Sequence, residues 1–207
     1  MNVARLLFPV RVLGPGRRLG LWFAGCPRRC RSCSNPELWI PKPEWEISVE
    51  KLLTLVEPFL SSEPRAGLIL TGGEPFAQGP ELLELLQELE IHTWDILVYT
   101  GYTLEELQRG PRLWQRCLEH IGVLIDGPYD ETQNTDVPLR GSANQRIHYL
   151  RPELREAYEC YMKETGNRIQ DFSTGNGVVS VGIHRPHFKE ALTRKMEEQG
   201  VILCEPK

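Results

Sequence analysis

Three cysteines, Cys26, Cys30 and Cys33, fall within one short charged stretch directly after the apolar run of residues 19–24. Their spacing is C-x3-C-x2-C, and three thiolates on so short a loop can bind one corner of a cubane [4Fe–4S] cluster. Such a cluster normally takes four ligands, so one iron would stay open to an outside ligand. An open metal position is typical of a reactive site. We therefore predict a reactive iron–sulfur centre on this loop.

Two other uses of the cysteines fit the sequence less well. A disulfide needs an oxidising compartment, but no apolar segment with a cleavage site stands at the N-terminus, so we expect a cytoplasmic protein. A structural zinc site needs a fourth cysteine or histidine at short range, and the nearest histidine is His92. Zinc stays open as the alternative. Cys117, Cys160 and Cys204 are isolated from one another, so we expect no second cluster and interpret them as small apolar residues.

Further motifs lie before and after the cysteine loop, and together they span residues 10–150. They are Gly14-Pro15-Gly16-Arg17-Arg18, Cys33-Ser34-Asn35-Pro36-Glu37-Leu38-Trp39, Thr71-Gly72-Gly73-Glu74-Pro75, Tyr99-Thr100-Gly101-Tyr102-Thr103, Asp126-Gly127-Pro128-Tyr129 and Arg140-Gly141-Ser142-Ala143-Asn144-Gln145-Arg146. The series resembles the radical S-adenosylmethionine (SAM) superfamily. Within that superfamily it is most similar to the activating enzymes of glycyl radical enzymes, and above all to the branch that activates anaerobic ribonucleotide reductase.

The resemblance implies two cofactors, a [4Fe–4S] cluster and SAM, and no catalytic side chain beyond them. Cys26, Cys30 and Cys33 would be the metal ligands, and SAM would bind the open iron through its amino and carboxylate groups. The residues that the resemblance implies around SAM are Ser32, Cys33, Ser34, Thr71, Gly72, Gly73, Glu74, Thr100 and Asp126.

Roles for these residues follow from the same resemblance. Residues 71–74 would lie beside the methionine part of SAM, with glycines because the backbone must approach the ligand closely. The backbone of residues 32–34 would border the adenine. Asp126 is either an acceptor for the ribose hydroxyls or a capping residue. Arg140 and residues 144–146 either bind the substrate protein, close over SAM, or form a plain polar loop.

The activity that the resemblance implies is reductive cleavage of SAM, which generates a glycyl radical on a partner enzyme. The partners would be that glycyl radical protein and a flavodoxin- or ferredoxin-type reductant, with no nucleic acid and no membrane. Two positions depart from the family pattern. Ser32 stands where many members carry an aromatic residue and the reductase activators often carry glycine, and Ser34 stands where those activators usually have histidine.

These departures, and a tail beyond residue 150 that is longer than an activator needs, leave two alternatives open. The first is a radical SAM enzyme that modifies a peptide or small molecule, which a pocket closed by residues 128–145 or by the tail would favour. The second is a non-enzymatic iron–sulfur electron carrier or sensor. Binding of SAM to the reduced protein separates the second alternative from an enzyme, because a carrier has little use for an open iron.

Composition indicates an ordinary globular protein, with 41% hydrophobic and 25% charged residues in 207. The net charge is −4, but all residues before Glu37 that carry a charge are arginines. A positive field around the cysteine loop would lower the thiol pKa values and attract an acidic electron donor. A nucleic-acid arm is disfavoured because apolar residues interrupt the basic ones. The arginines are Arg5, Arg11, Arg17, Arg18, Arg28, Arg29 and Arg31.

Alternating strands and helices must position these motifs. Apolar runs predict strands, and apolar residues at helical spacing predict helices. We expect strands at residues 18–24, 67–71, 94–99, 121–125 and 146–150, and helices at 48–60, 80–89, 103–108, 113–119 and 152–163. The tail should form a hairpin of residues 168–172 and 178–183, a helix at 186–199 and a short strand at 201–204.

This order predicts an α/β fold with a parallel sheet and helices outside it. A closed eight-unit barrel needs about 250 residues, so we expect a partial, open barrel of the radical SAM type. The chain should be a single domain, 1–207, with a core of about residues 10–150 and a C-terminal hairpin–helix extension, 151–207. Ligands of such sheets bind outside the carboxyl ends of the strands. Each motif stands at such an end, so we predict one site built from four loops.

Overall fold

The computed structural model of the protein describes residues 1–175 and 177–198. The strands are β1 (Val3–Val10), β2 (Arg18–Phe23), β3 (Gly67–Gly72), β4 (Ile96–Tyr99), β5 (Val123–Asp126), β6 (Arg146–Tyr149), β7 (Ile169–Thr174) and β8 (Gly177–Gly182). The helices are α1 (Val49–Ser62), α2 (Pro80–Glu90), α3 (Leu104–Arg109), α4 (Arg112–Leu118), α5 (Arg155–Glu164) and α6 (Phe188–Glu198). None of the helices in the described part of the chain combines the length and apolar composition that a membrane crossing requires.

Six strands form one sheet in chain order, from β1 to β6. The four central strands, β2 to β5, are parallel, whereas β1 and β6 are antiparallel to their neighbours at the two edges. The mixed α/β class with a mostly parallel sheet is thus confirmed. The expectation that the sheet is parallel throughout is wrong at its edges, and no pairing between β1 and β6 closes a barrel in the described residues.

The sheet has a helical face and a second face that α5 and the β7–β8 hairpin cover. Alternate residues of a strand point to opposite faces. Leu70 and Leu124 contact the core beneath the helices, whereas Ile69 and Ile125 pack on the other side with Val181 of β8. Every residue of β2 is buried, which explains why all of its residues after Arg18 are apolar, because a central parallel strand is covered on both faces.

The helices on the first face begin and end where their sequences predict, to within a few residues. Ser48 caps α1, since its Oγ accepts a hydrogen bond from the Lys51 amide at 3.2 Å. The helix continues past Pro58 to Ser62, two residues beyond the expected end. The apolar side of α2 is a stripe of buried leucines at helical spacing: Leu82, Leu83, Leu85, Leu86 and Leu89.

A buried charged group lies at the amino ends of the central strands. Both terminal nitrogens of Arg18, which is 0% exposed, donate to the Asp95 carboxylate at 2.7 Å. The Tyr158 hydroxyl from α5 donates to the same carboxylate at 2.6 Å. A buried ion pair is tolerated only when its hydrogen bonds are well satisfied, as they are for this carboxylate. The C-terminal extension is therefore bonded to the sheet at the end opposite the cysteines.

The fold differs from the prediction in its first strand. β1 was not predicted, because Arg5 and Pro9 interrupt its apolar residues. Proline is compatible with an edge strand, which needs few of its amide donors for the sheet. The hairpin of β7 and β8 and the helix α6 are confirmed. The strand expected at residues 201–204, and Cys204 with it, lies outside the described residues.

Candidate active site

The loops at the carboxyl ends of β2, β3, β4 and β5 meet at one cavity of about 190 Å³ that opens to solvent. Its walls contain the three clustered cysteines and most of the residues expected around SAM. The lining residues are Leu13, Trp22, Cys26, Arg28, Cys30, Cys33, Ser34, Asn35, Thr71, Gly72, Gly73, Glu74, Tyr99, Thr100, Gly101, Gly127, Tyr129, Gly141, Gln145, Ser180, Val181, Gly182, Ile183 and His184.

The cysteine loop is attached to the sheet at its start and folded tightly at its end. The Cys26 amide donates to the carbonyl oxygen of Trp39 at 3.0 Å, so both ends of the loop are held together. The Cys33 amide donates to the carbonyl oxygen of Cys30 at 3.2 Å, which closes a turn between those two ligands. Arg29 and Ser32 have left-handed backbones, with φ of 45° and 58°. Non-glycine residues seldom adopt that conformation, and such strain is typical of functional loops.

The thiols of the loop are half-buried, and this affects their ionisation. Burial raises the pKa of Cys26 and of Cys33, although neighbouring backbone N–H groups act in the opposite direction. One of these is the Asn35 amide, which lies 3.4 Å from the Cys33 Sγ. Because burial favours the neutral thiols, a positively charged metal centre is what would hold them as thiolates.

The arrangement of the thiols is compatible with a cluster. The three cysteines line the same cavity. In a [4Fe–4S] cluster each thiolate binds a different iron, so three cysteines leave the fourth iron open to another ligand. The donor set therefore fits a cluster with one open position beside the cavity.

Gly72 and Gly73 bring the end of β3 against the cysteine loop. Gly72 has φ of +99°, and a Cβ there would lie 2.7 Å from the carbonyl oxygen of Phe23. A Cβ at Gly73 would lie 2.7 Å from the carbonyl oxygen of Gly25, directly before Cys26. The glycines are thus required by contact between two backbone segments of the protein. The expected reason, approach to the ligand, is not needed to explain them, although both residues line the cavity.

Glu74 joins the loops after β3 and β4 from a position that is 1% exposed. Its carboxylate accepts hydrogen bonds from the Thr100 hydroxyl at 2.8 Å, the Gly101 amide at 2.8 Å and the Phe76 amide at 3.1 Å. Burial raises the pKa of Glu74 to about 7, against the effect of these donors. A carboxylate has about four lone-pair positions, so one is left for a ligand in the cavity.

Arg28 connects the cysteine loop to α3. Its guanidinium lies 4.2 Å from the centroid of the Tyr102 ring, a cation–π distance, and its Nη2 donates to Glu106 at 2.6 Å. Glu106 also closes the capping box of α3 with Thr103. The loop that carries the cysteines is therefore held at two places, by the bond to Trp39 and by the contacts of Arg28 with the start of α3.

Two of the residues expected around SAM lie outside the cavity wall. The Asp126 carboxylate accepts from the Leu104 amide at 2.6 Å and from Arg146 Nη2 at 2.5 Å, so it acts as the cap that was its other interpretation. Although burial opposes it, Arg146 holds the pKa of Asp126 below its ordinary value. The exposed Ser32 donates through its Oγ to Glu131 at 2.7 Å. The structure does not bring either side chain to the other expected residues.

The polar segment of residues 128–145 contributes Tyr129, Gly141 and Gln145 to the cavity. Gln145 holds this segment in place, since its Oε1 accepts from the Gly141 amide at 2.8 Å and its Nε2 donates to the carbonyl oxygen of Gly127 at 2.9 Å. Arg146, by contrast, points to Asp126 and Glu105 on the helical side. Gln145 therefore joins the end of this segment to the residue just before its start.

The C-terminal extension supplies a wall that the sequence did not predict. Residues 180–184, at the end of β8 and just beyond it, line the cavity. The signal in the sequence is weak, because the only hint is the alternation of Val179, Val181 and Ile183. His184 lines the cavity, whereas His187, three residues later in the sequence, is exposed and lies outside it.

Comparison with known proteins places these features in a family. Residues 12–148 match the family model described as a 4Fe-4S single cluster domain. The chain is 34% identical over 148 residues to the anaerobic ribonucleoside-triphosphate reductase-activating protein of Vibrio cholerae, covering 68% of this chain and 94% of that protein. Identity to the protein of the same name from Escherichia coli strain K12 is 31% over 153 residues, covering 70% and 96%. Identity to the protein of the same name from Pasteurella multocida is 35% over 149 residues, covering 66% of this chain and 90% of that protein.

The matched region contains the cysteine loop, β2 to β6 and the loops around the cavity, and it ends before α5. The match to a single-cluster model agrees with one set of three cysteines at one cavity. The chain therefore belongs to the 4Fe-4S single cluster domain family, together with the anaerobic ribonucleoside-triphosphate reductase-activating proteins.

Proposed function

We propose that the protein is a radical SAM activating enzyme that generates a glycyl radical on a partner enzyme such as anaerobic ribonucleotide reductase. The observation that carries the proposal is that Cys26, Cys30 and Cys33 share one cavity with the Gly72-Gly73-Glu74 turn and Thr100. In the same proposal the whole chain is one domain, and its sheet is the partial barrel of the radical SAM superfamily.

The cysteines would hold the [4Fe–4S] cluster, and the cavity beside them would hold SAM. When bound, the cluster and SAM would supply the radical chemistry of this proposal, namely a one-electron reduction of SAM by an external reductant that would release methionine and yield 5′-deoxyadenosine with a hydrogen atom taken from the glycine Cα. The side chains of this protein bind and orient. The free lone pair of Glu74 would accept from the SAM amino group, and the apolar side chains of Trp22, Tyr99 and Val181 would line the cavity around the ligand.

The reductant in this proposal is an acidic flavodoxin or ferredoxin that docks beside the cysteine loop. Arg29 and Arg31 are exposed on either side of Cys30. Neither is in an ion pair with a described residue, unlike Arg5, Arg17 and Arg28. Their charge would attract an acidic donor to the side of the protein where electrons must enter.

A direct experiment is anaerobic incubation of the reduced, cluster-loaded protein with SAM and the anaerobic ribonucleotide reductase of the same cell. We expect 5′-deoxyadenosine and a doublet EPR signal from a glycyl radical on the reductase. The Cys30→Ala variant should give neither. If the protein cleaves SAM but no glycyl radical protein acquires the signal, the activating role is wrong.

One observation favours a second candidate, a radical SAM enzyme that modifies a peptide or small molecule. Residues 128–145 and the C-terminal hairpin both line the cavity, and a cavity enclosed by these segments suits a smaller substrate. Stimulation of SAM cleavage by a peptide or small molecule, without any effect of a glycyl radical protein, would support this candidate.

A further inference from the structure

The C-terminal extension, residues 151–207, lies beyond the region that the relatives share, yet it bonds to a segment of the cavity wall. The family match ends at residue 148, and the matches to the relatives from Vibrio cholerae and Escherichia coli cover 94% and 96% of those proteins but only 68% and 70% of this chain. Asn167 lies in this extension, between α5 and β7. Its side chain contacts residues 136–139, in the polar segment that contributes Gly141 to the cavity.

The Asn167 carboxamide makes three hydrogen bonds to one short turn. Its Oδ1 accepts from the Leu139 amide at 3.1 Å. Its Nδ2 donates to the Asp136 carboxylate at 3.1 Å and to the carbonyl oxygen of Val137 at 2.9 Å. The Arg140 amide donates to the same carbonyl oxygen at 3.3 Å and closes the turn. One side chain of the extension thus holds both backbone and side-chain groups of residues 136–140.

This turn contains two residues in a conformation that needs support. Asp136 and Leu139 have φ of 60° and 61°. Left-handed backbone is unusual for a residue such as leucine, and it persists only where the surrounding contacts hold it. The Leu139 side chain is 1% exposed and packs in the core on the second face of the sheet. Asn167 supplies the partner of its amide, so removal of Asn167 should release the turn.

The turn is connected to two groups of the cavity wall. The Tyr99 hydroxyl donates to the carbonyl oxygen of Leu139 at 3.0 Å, and Tyr99 lines the cavity at the end of β4. Gly141, two residues after Leu139, also lines the cavity, and its amide donates to Gln145 at 2.8 Å. A displacement of Leu139 would therefore reach both groups.

We propose that Asn167 is a positioning residue for the SAM site: through the turn of residues 136–140 it fixes Tyr99 and Gly141 where they border the ligand. The inference rests on the proposed function, because SAM is the ligand assigned to the cavity there. Asn167 does not itself line the cavity, so its effect on SAM binding passes through the turn.

The test measures SAM binding by cluster-loaded, full-length variants in anaerobic equilibrium dialysis without reductant, so that no turnover occurs. Asn167→Ala removes all three bonds to the turn. We expect SAM binding to weaken about 3- to 10-fold, the effect of one lost hydrogen bond of ordinary strength, with iron content unchanged. Thr165→Ala is the matched control, because the Thr165 hydroxyl bonds only within the extension, to the carbonyl oxygen of Tyr161. It should bind SAM like the wild type.

An exchange of donor and acceptor tests the bonds themselves. Asn167→Asp keeps an oxygen for the Leu139 amide but faces Asp136 with a second carboxylate, so SAM binding should weaken. Adding Asp136→Asn supplies an amide that can donate to the new carboxylate, while its oxygen still accepts from Arg185, as Asp136 does at 3.0 Å. This double variant should recover part of the affinity, which a general loss of stability would not allow.

A double-mutant cycle tests the path to the cavity. Tyr99→Phe keeps the ring in the wall and removes the hydroxyl that bonds to Leu139. Because Asn167 acts through this bond, Asn167→Ala should weaken SAM binding by a smaller factor in the Tyr99→Phe protein than in the wild type. Independent effects would multiply instead.

The outcomes separate this inference from the function on which it rests. Wild-type affinity in Asn167→Ala, an equal loss in Thr165→Ala, no recovery in the exchange, or full multiplication in the cycle overturns the inference and leaves the proposed function standing. If the wild-type protein binds no SAM, the proposed function fails and this inference with it. Thermal unfolding shows which variants fold, and the exchange decides the question if Asn167→Ala does not.

Discussion

Thr100 Oγ1 donates a hydrogen bond of 2.8 Å to the Glu74 carboxylate, and this bond joins the loop after β4 to the loop after β3. Both residues are buried, and the same carboxylate accepts from the Gly101 amide. Since the Glu74 amide also donates to the carbonyl oxygen of Gly25, directly before Cys26, Glu74 is bonded to all three loops. A change in the charge of Glu74 should therefore affect the stability of the whole site.

The first prediction is a dependence of stability on pH that arises from Glu74. Burial raises its pKa from 4.5 to about 7 in the folded protein. The folded state thus binds more protons than the unfolded state between these values, so the stabilisation from Glu74 is full below pH 4.5 and is lost as the pH rises through 7. The loss amounts to about 3 kcal/mol at most. Urea unfolding from pH 5 to 8 should show the wild type losing stability relative to Glu74→Gln, whereas parallel curves would contradict the prediction.

The second prediction concerns the cluster ligands. We expect the cluster to be absent after anaerobic reconstitution of Cys26→Ala, Cys30→Ala or Cys33→Ala, because the two remaining thiolates are too few ligands to hold it. Iron analysis should give about four iron atoms per wild-type chain and almost none in these variants. Cys160→Ser is the matched control, since Cys160 is exposed on α5 and does not line the cavity. An iron-free Cys160→Ser variant would show that the ligand set is wrong.

The third prediction is that Gly73→Ala disturbs the cysteine loop. The new Cβ would lie 2.7 Å from the carbonyl oxygen of Gly25. That oxygen also accepts from the Glu74 amide at 2.9 Å, so the two backbone segments cannot separate without breaking this bond. We expect a loss of about 1–3 kcal/mol in the free energy of unfolding, typical of overpacking, and a reduced iron content. Gly166→Ala is the control, because nothing lies within 4 Å of its Cβ position. Equal stability of the two variants would mean that the contact at Gly73 is relaxed without cost.

The fourth prediction tests the docking of an acidic reductant. Replacing both Arg29 and Arg31 with glutamine should slow reduction of the cluster by reduced flavodoxin, with a weaker dependence on salt than in the wild type. Reduction by dithionite should change far less, since a small reductant needs no docking surface. Arg11→Gln is a control, because Arg11 is exposed but lies before β2, away from the cysteine loop. An equal effect of salt on all these proteins would exclude a role for the two arginines.

The sequence predicted the central strands and the position of the site because two independent signals agree there. β2 and β3 are continuous apolar runs, and a motif follows each run directly, so their carboxyl ends could be identified without a structure. Asp126 shows the limit of this argument. It follows Ile125, which faces the cavity side, and alternation therefore turns Asp126 to the helical side. Applying that alternation to each motif residue would have separated Asp126 from Thr71.

The C-terminal wall could not be predicted in the same way. Its contribution depends on contacts between residues far apart in sequence, such as Gln170 with Pro9 and Asn134 with His184. The local sequence of a hairpin does not indicate which surface of the protein it packs against. β1 was missed for a related reason, because its strand conformation depends on pairing with β2 more than on its own interrupted apolar sequence.

The bond from Tyr158 to the Asp95–Arg18 pair has a consequence for any attempt to shorten the protein. A chain cut after residue 150, to the length that the relatives share, would lose this hydroxyl and leave Arg18 and Asp95 partly uncovered at one end of the sheet. It would also expose Leu97 and Val123, which are 0% exposed in the intact chain. The extra residues are thus not a detachable module, and a minimal version of this protein would need a redesigned, more polar sheet surface to stay folded and free of aggregation.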